Sequence, residues 1–242
     1  MSRLLDLPTK TSDSHGNVMF GPVRSVPNGL VNLIDRLGAR RTDSDGRVSS
    51  TAGDAVFATK ALRKFLGCLT ARESPVLLDL GPVVGSNVSF FGEQLGCKIF
   101  VEDIFADIDR HVRESKVDAL PEFLAKRFPQ ESNSVDGILC WDLIDYLDKK
   151  AAQELATQLT RVVRPDGAVL GFYGGTRPPD SRYTKFIIVD EANLKYRSYP
   201  AARGPQTALL NRDIIRLFSG LRVAESFLMK NNVREILFRK PQ

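Results

Sequence analysis

Two short stretches of the chain combine acids and glycines in a way that suits a ligand carrying a nucleoside. The first reads Val76-Leu-Leu-Asp79-Leu-Gly81-Pro82-Val-Val-Gly85-Ser-Asn87, an apolar run that ends at an acid and turns through glycines. Glycine lets a backbone approach a ligand closely, and the exposed amides at a helix start favour polar or anionic groups. The second, Lys98-Ile-Phe-Val101-Glu102-Asp103, puts one or two carboxylates at the end of the next apolar run. They lie roughly twenty residues past the first glycine, where an acid can accept both hydroxyls of a ribose. Taken alone, each stretch also has a plain structural reading, as a tight strand-to-helix turn or a solvated strand end. Together they point to a nucleoside-containing ligand.

Other reactive side chains give less. His15 and His111 are the two histidines, one near the start of the chain and one on a helix, so neither a Ser-His-Asp set nor a His-based metal site is indicated. Cys68, Cys97 and Cys140 are odd in number and widely spaced, which argues against a disulfide framework or a zinc cluster and for a reducing compartment. No catalytic residue is assigned. If the group acted upon is a phenol or another weak acid, Asp142, Asp145, Tyr146 and Tyr173 lie near strand ends where a base could serve. Trp141, Tyr146, Phe172 and Tyr173 could line an apolar pocket for a small molecule.

The elements that must position these groups follow from periodicity. Residues 1–52 read as an arm: Met1 to about Pro27 lacks apolar periodicity, Leu30, Leu33, Ile34 and Leu37 recur at helical spacing, and Thr42 to Ser50 is a polar connection. Residues 53–242 read as the main domain. A helix is predicted from about Asp54 to Leu69, then a strand at Val76 to Leu80, nearly continuous in apolar residues as burial on both faces requires. Strand and helix then alternate. The spacing predicts a helix from the Gly85 turn to about Leu95, a strand at Lys98 to Val101, and a helix around Ile108 to Ser115. Val117 to Arg127 reads as helical where a third parallel strand would be sought. A strand follows at Gly137 to Trp141, then a helix capped by Asp148, a turn at Arg164-Pro-Asp-Gly167, and a strand at Ala168 to Phe172. Lys185 to Val189 and Leu194 to Tyr199 read as an inserted hairpin that could overhang a site. A helix capped by Asn211 and two strands, Val223 to Met229 and Val233 to Phe238, finish the chain. The fold class is α/β: a doubly wound, mostly parallel, Rossmann-like sheet with a C-terminal antiparallel hairpin.

In this order the motifs resemble the class I S-adenosylmethionine-dependent methyltransferases over about Pro75 to Lys240. Asp79-Leu-Gly81-x-x-x-Gly85 is similar to that family's first motif, and Glu102 or Asp103 matches its ribose acid. Ser134-Val-Asp136-Gly-Ile-Leu-Cys140-Trp-Asp142-Leu-Ile-Asp145-Tyr-Leu147 resembles its fourth strand and following loop, and Leu159 through Leu170 the helix, turn and fifth strand. The resemblance implies S-adenosylmethionine as cofactor, with Asp79 and the Gly81, Pro82 and Gly85 backbone beside its methionine part. It also implies Glu102 or Asp103 on the ribose, and Cys140 and Trp141 near the reactive edge. The chain departs from the family at Val83, where glycine is usual, at Pro82, which removes an amide donor, and in lacking a clear adenine-recognising acid between Val117 and Gln130.

Composition sets outer limits. A chain of 242 residues, 43% hydrophobic, can bury one substantial core, and the net charge of +5 comes from cations interleaved with acids rather than clustered. No run of eighteen apolar residues occurs and the first residues lack a signal-peptide pattern, so a cytoplasmic protein is expected. The leading expectation is methyl transfer to an unidentified acceptor. A small molecule is favoured, with nucleic acid and protein acceptors left open. An inactive methyltransferase-like binding or scaffolding domain is the alternative. A nicotinamide oxidoreductase finds no Ser-Tyr-Lys or His-Asp set to support it.

Overall fold

The structure, a computed structural model, describes residues 18–19, 56–174, 183–199, 209–229 and 232–242. The expected helix at Leu30 to Leu37 and the connection at Thr42 to Ser50 lie outside them. In chain order the elements are β1 (Val18–Met19), β2 (Val56–Ala58), α1 (Leu62–Thr70), β3 (Val76–Asp79), and α2 (Gly85–Ser89), which continues into a wider-wound turn at Phe90–Gln94. They continue with β4 (Lys98–Val101), α3 (Ile104–Arg113), α4 (Leu120–Arg127), β5 (Val135–Trp141), α5 (Lys149–Val162) and β6 (Val163–Tyr173). The last are β7 (Tyr183–Asp190), β8 (Asn193–Tyr199), α6 (Asn211–Leu217), β9 (Arg222–Leu228) and β10 (Arg234–Arg239).

The main sheet has the order β1-β4-β3-β5-β6-β10-β9. Strands β4, β3, β5 and β6 pair in parallel, whereas β10 is antiparallel to both β6 and β9 and so is a reversed strand inside the sheet. The expected doubly wound sheet with its C-terminal hairpin is therefore present. Alternate residues of the central strands enter separate cores. Leu78, Ile138, Cys140 and Val169 pack with α3, α4, α5 and α6, while Leu77, Leu139, Trp141 and Leu170 pack with α1 and Phe91. Burial on both faces is why these strands read as continuous apolar runs.

A second, three-stranded antiparallel sheet, β2-β8-β7, lies on the α1 side, where Phe186, Ile188 and Leu194 join the core. Its strand β2 corrects one sequence expectation, because Val56–Ala58 is not the first turn of a helix. Val56 pairs with Lys195, and Phe57 stacks on Tyr196 with ring centroids 4.2 Å apart, so cross-strand pairing overrides the helical spacing of the apolar residues. Helix α1 starts instead at Leu62, after Thr59 and Lys60 have been tied to the buried Glu235 of β10.

Three boundaries also differ. Arg164 to Gly167 does not separate a helix from a strand; β6 runs through it with a register shift against β5, and Asp166 takes a left-handed φ of 61°. Asn211 is the first residue of α6 rather than its cap, a position taken by Leu210 without a side-chain bond. Helix α3 begins at Ile104, because Asp103 caps it by accepting from the Ala106 amide at 3.1 Å. The Asp148 cap is present, with a 2.8 Å bond from the Ala151 amide.

The region Val117 to Arg127 is helical, as its periodicity predicts, and contributes no strand. The place beside β4 is taken by β1 from the N-terminal arm, with Val18 opposite Val101 and Met19 opposite Phe100, antiparallel. These two arm residues therefore belong to the sheet.

Gly137 tests the packing between α1 and β5. A Cβ there would lie 2.7 Å from the Leu69 side chain and 2.9 Å from the Phe65 ring. Replacing it with alanine is expected to cost about 1–3 kcal/mol through overpacking, seen as a lower midpoint in chemical denaturation. An unchanged midpoint would show that α1 can shift freely.

Candidate functional site

The C-terminal ends of β3, β4, β5 and β6 bring most of the sequence-derived residues together, and Asp79 stands at their centre. Its Oδ1 accepts both the Gly81 amide, at 2.9 Å, and the Trp141 indole N–H, at 2.6 Å. Burial raises its pKa to about 6, against the opposing effect of those two bonds, and the neighbouring Asp103 raises it further.

Trp141 ends β5 with a left-handed φ of 50° and donates from there to Asp79 at the end of β3. A Cβ on Gly81 would come within 2.9 Å of that ring, so the chain's own tryptophan requires glycine there. The indole lies parallel to Phe186 at 4.9 Å, and Phe186 in turn stacks on Phe172 at 5.1 Å. The stack fastens β7 to the main sheet. Asn87 in α2 adds a second fastening, donating to the Phe186 carbonyl and accepting from the Ile188 amide, both at 2.9 Å. Pro82 is buried, Val83 is exposed, and a Cβ on Gly85 would meet nothing within 4 Å.

The adjacent acids part company. Glu102 is 1% exposed and accepts from Arg127 at 2.5 Å and Gln130 at 2.9 Å, while Arg127 also donates to Asp107 at 2.8 Å. Asp103 is half-buried; its Oδ1 caps α3, and its Oδ2 accepts the Tyr199 hydroxyl at 3.0 Å. Burial raises the Asp103 pKa as well, partly offset by those bonds.

The remaining candidates are distributed differently. Cys140 is fully buried in the core on the opposite face from Trp141, and burial pushes its thiol far up, so its side chain points away from the Asp79 turn. Asp145 accepts the Gly174 amide at 3.0 Å and so holds the chain just beyond β6. Tyr146 donates to Asp142 at 3.4 Å and packs edge-on against Tyr183. Tyr173 is buried against Phe238. His111 contacts the Asp107 carbonyl at 2.7 Å and packs on Phe123, away from the strand ends. Among the described residues no group of three side chains could hold a metal ion, and no helix is long and apolar enough to cross a membrane.

Sequence reasoning missed Arg127, Gln130, Asn87 and Tyr199. Nothing in a linear pattern marks Arg127 and Gln130 as partners of Glu102, or Asn87 as a partner of β7. Tyr199 carried one signal, as the last residue of a hairpin already expected to overhang the site.

Of the two acids, Asp103 has an oxygen that accepts a hydroxyl, whereas Glu102 is enclosed by an internal ion pair. The reversed strand β10 lies between β6 and β9, next to the parallel strands whose ends carry these residues. No family model and no curated protein matches the chain. Among solved structures, it is similar to the PH0226 protein of Pyrococcus horikoshii, at 16% identity and a TM-score of 0.46, over 76% of this chain and 93% of that one. It is also similar to the 1,6-didemethyltoxoflavin-N1-methyltransferase of Burkholderia thailandensis, solved with S-adenosylhomocysteine, at 14% identity and a TM-score of 0.41, over 75% and 79%. A TehB-like SAM-dependent methyltransferase of Corynebacterium glutamicum matches at 13% identity and a TM-score of 0.35, over 72% of each chain.

The environment of Asp79 predicts a pH effect. A carboxyl that titrates higher folded than unfolded stabilises the fold most at low pH, and that contribution is lost as pH rises from about 4 through about 6. Asp79→Asn can keep both bonds, since both end on one oxygen. It should remove that slope and stabilise the protein at neutral pH by up to roughly 3 kcal/mol. Denaturation across this pH range checks it; a slope identical to wild type would show that Asp79 is not the group responsible.

Proposed function

We propose that the chain is an S-adenosylmethionine-dependent methyltransferase acting on a small molecule, with Asp103 as the residue that accepts the ribose hydroxyls. The observation that carries this reading is the pairing of Asp103 with the Asp79-to-Gly85 turn at neighbouring strand ends. The Glu102 amide bonds the Asp79 carbonyl at 2.7 Å, which holds the two strand ends side by side. A nucleoside-bearing ligand needs a close-approach turn and an acid at that separation. The Burkholderia 1,6-didemethyltoxoflavin-N1-methyltransferase was solved with bound 1,6-didemethyltoxoflavin, a small molecule, and S-adenosylhomocysteine. Free thiols at Cys68, Cys97 and Cys140 agree with a cytoplasmic setting.

When bound, the cofactor supplies an electrophilic methyl group on a sulfonium. This chain's part is to position and to exclude water. Asp79 fixes the Gly81 turn, Asp103 would orient the ribose, and the β7–β8 hairpin is held beside the strand ends by Phe186 and Asn87. Alignment and water exclusion supply much of the acceleration in such a transfer, so a dedicated base is not required. A second reading, a binding domain that has lost catalysis, draws support from the Arg127 and Gln130 partners that take up Glu102.

Calorimetric titration with S-adenosylmethionine and, separately, S-adenosylhomocysteine separates the two. Saturable micromolar binding is expected, weakened about tenfold or more by Asp103→Ala. Glu102→Ala should instead appear as lost stability, on the order of 3 kcal/mol, because Arg127 and Gln130 lose a buried partner. If folded wild-type protein binds neither compound, the binding-domain reading replaces the enzyme.

A further inference from the structure

The hydroxyl on Asp103 comes from the protein itself. Tyr199 ends β8 and pairs in register with Tyr183, the first residue of β7. Tyr183 is fully buried and packs its ring on Phe105 and Tyr146, at 4.8 and 4.4 Å, so it pins this end of the hairpin to the main domain. Tyr199 is only half-buried, and its phenol lies over the strand ends with its oxygen 3.0 Å from Asp103 Oδ2. The Lys185 ammonium sits 4.9 Å from the centre of the Tyr199 ring. The other oxygen of Asp103 is committed to the start of α3.

We propose that the Tyr199 hydroxyl is an internal stand-in for a ligand hydroxyl: it donates to the oxygen of Asp103 that a ribose hydroxyl would use, and a nucleoside must displace it to bind. This rests on the reading of Asp103 given above. The chemistry matches in kind, since a phenol O–H and a ribose O–H are each single neutral donors to a carboxylate. The placement matches too, because Oδ1 cannot be turned to a ligand without uncapping α3, whereas Oδ2 accepts from a half-buried side chain at a strand terminus. In the free protein the contact keeps Asp103 from facing the site unpaired. In the bound protein the end of β8 moves off the acid, so ligand capture and hairpin position are coupled. Tyr199 is thus a positioning residue that sets affinity and not a group that touches the transferred methyl.

The test compares wild type with Tyr199→Phe in titrations with S-adenosylhomocysteine. The variant keeps the ring and its Lys185 contact but cannot occupy Asp103, and it should bind roughly 3- to 10-fold tighter. Binding by wild type with equal or weaker affinity in the variant overturns the stand-in while leaving the cofactor assignment intact. Absence of binding in both overturns the assignment and the stand-in with it. A spectroscopic titration of wild type decides the matter should the variant fail to fold. Burial and the nearby Asp103 and Asp109 raise the Tyr199 pKa to about 12, with Arg113 opposing. Saturating S-adenosylhomocysteine should bring one tyrosine's phenolate absorbance back toward the ordinary range; five unchanged tyrosines would overturn the proposal.

Discussion

The Asp79 carboxylate is buried and accepts two N–H donors on one oxygen, and much of the site's shape follows from that bond pair. It closes the Gly81 turn on one side and pulls the Trp141 ring across from β5 on the other. Once the indole is fixed, its flat face sets where Phe186 lies, and Phe186 sets where β7 lies. The second sheet is thereby registered against the first through a chain of three aromatic rings and one carboxylate. Desolvation of that carboxylate is the counterweight: the protein holds its most organising acid in surroundings that disfavour its charge.

The other organising feature is the substitution of a strand. The sheet has no parallel strand from the segment between α3 and β5; instead β1 borders β4, and the end of α4 sends Arg127 inward. The guanidinium bridges Glu102 and Asp107, and Gln130 completes the coordination of Glu102. Arg161 in α5 then donates to the Phe128 and Gln130 carbonyls and steadies the loop that delivers them. A planar fork with several donors suits this task, since one side chain must satisfy carboxylates from two elements in a confined space. Of the two acids that sequence position nominates for a ligand, Glu102 is part of the protein's own framework and Asp103 bonds the hairpin's Tyr199.

Sequence pattern revealed the alternation of strands and helices because both faces of β3, β5 and β6 are buried, which leaves long apolar runs, and because Asp148 carries an ordinary cap signal. Pattern failed at Val56–Ala58, where three apolar residues fit a helical stripe and a strand equally well and only Lys195 and Leu194, far along the chain, decide between them. The site was legible to the same extent. Asp79, Gly81 and the Glu102-Asp103 pair announced themselves by lying where strands end. The choice between the two acids was not legible, because it depends on Arg127, Gln130 and Tyr199, which reach them only through tertiary packing. Cys140 and Trp141 are adjacent in sequence, yet they sit on opposite faces of the sheet. That follows from strand alternation and separates the roles that proximity in sequence had joined.

The reversed strand β10 also constrains the order in which the chain can become a sheet. Strand β9 precedes it in sequence but meets the sheet only through it, since β9 pairs with β10 and β10 with β6. While the chain emerges from the ribosome, β9 has no edge to join. Strand β9 can join the sheet only once β10 is available to pair with it. Docking delivers Glu235 to Thr59 and Lys60, more than a hundred residues upstream, and so ties the start of α1 to the late hairpin. One strand, β10, thereby both closes the sheet and anchors the helix opposite Gly137.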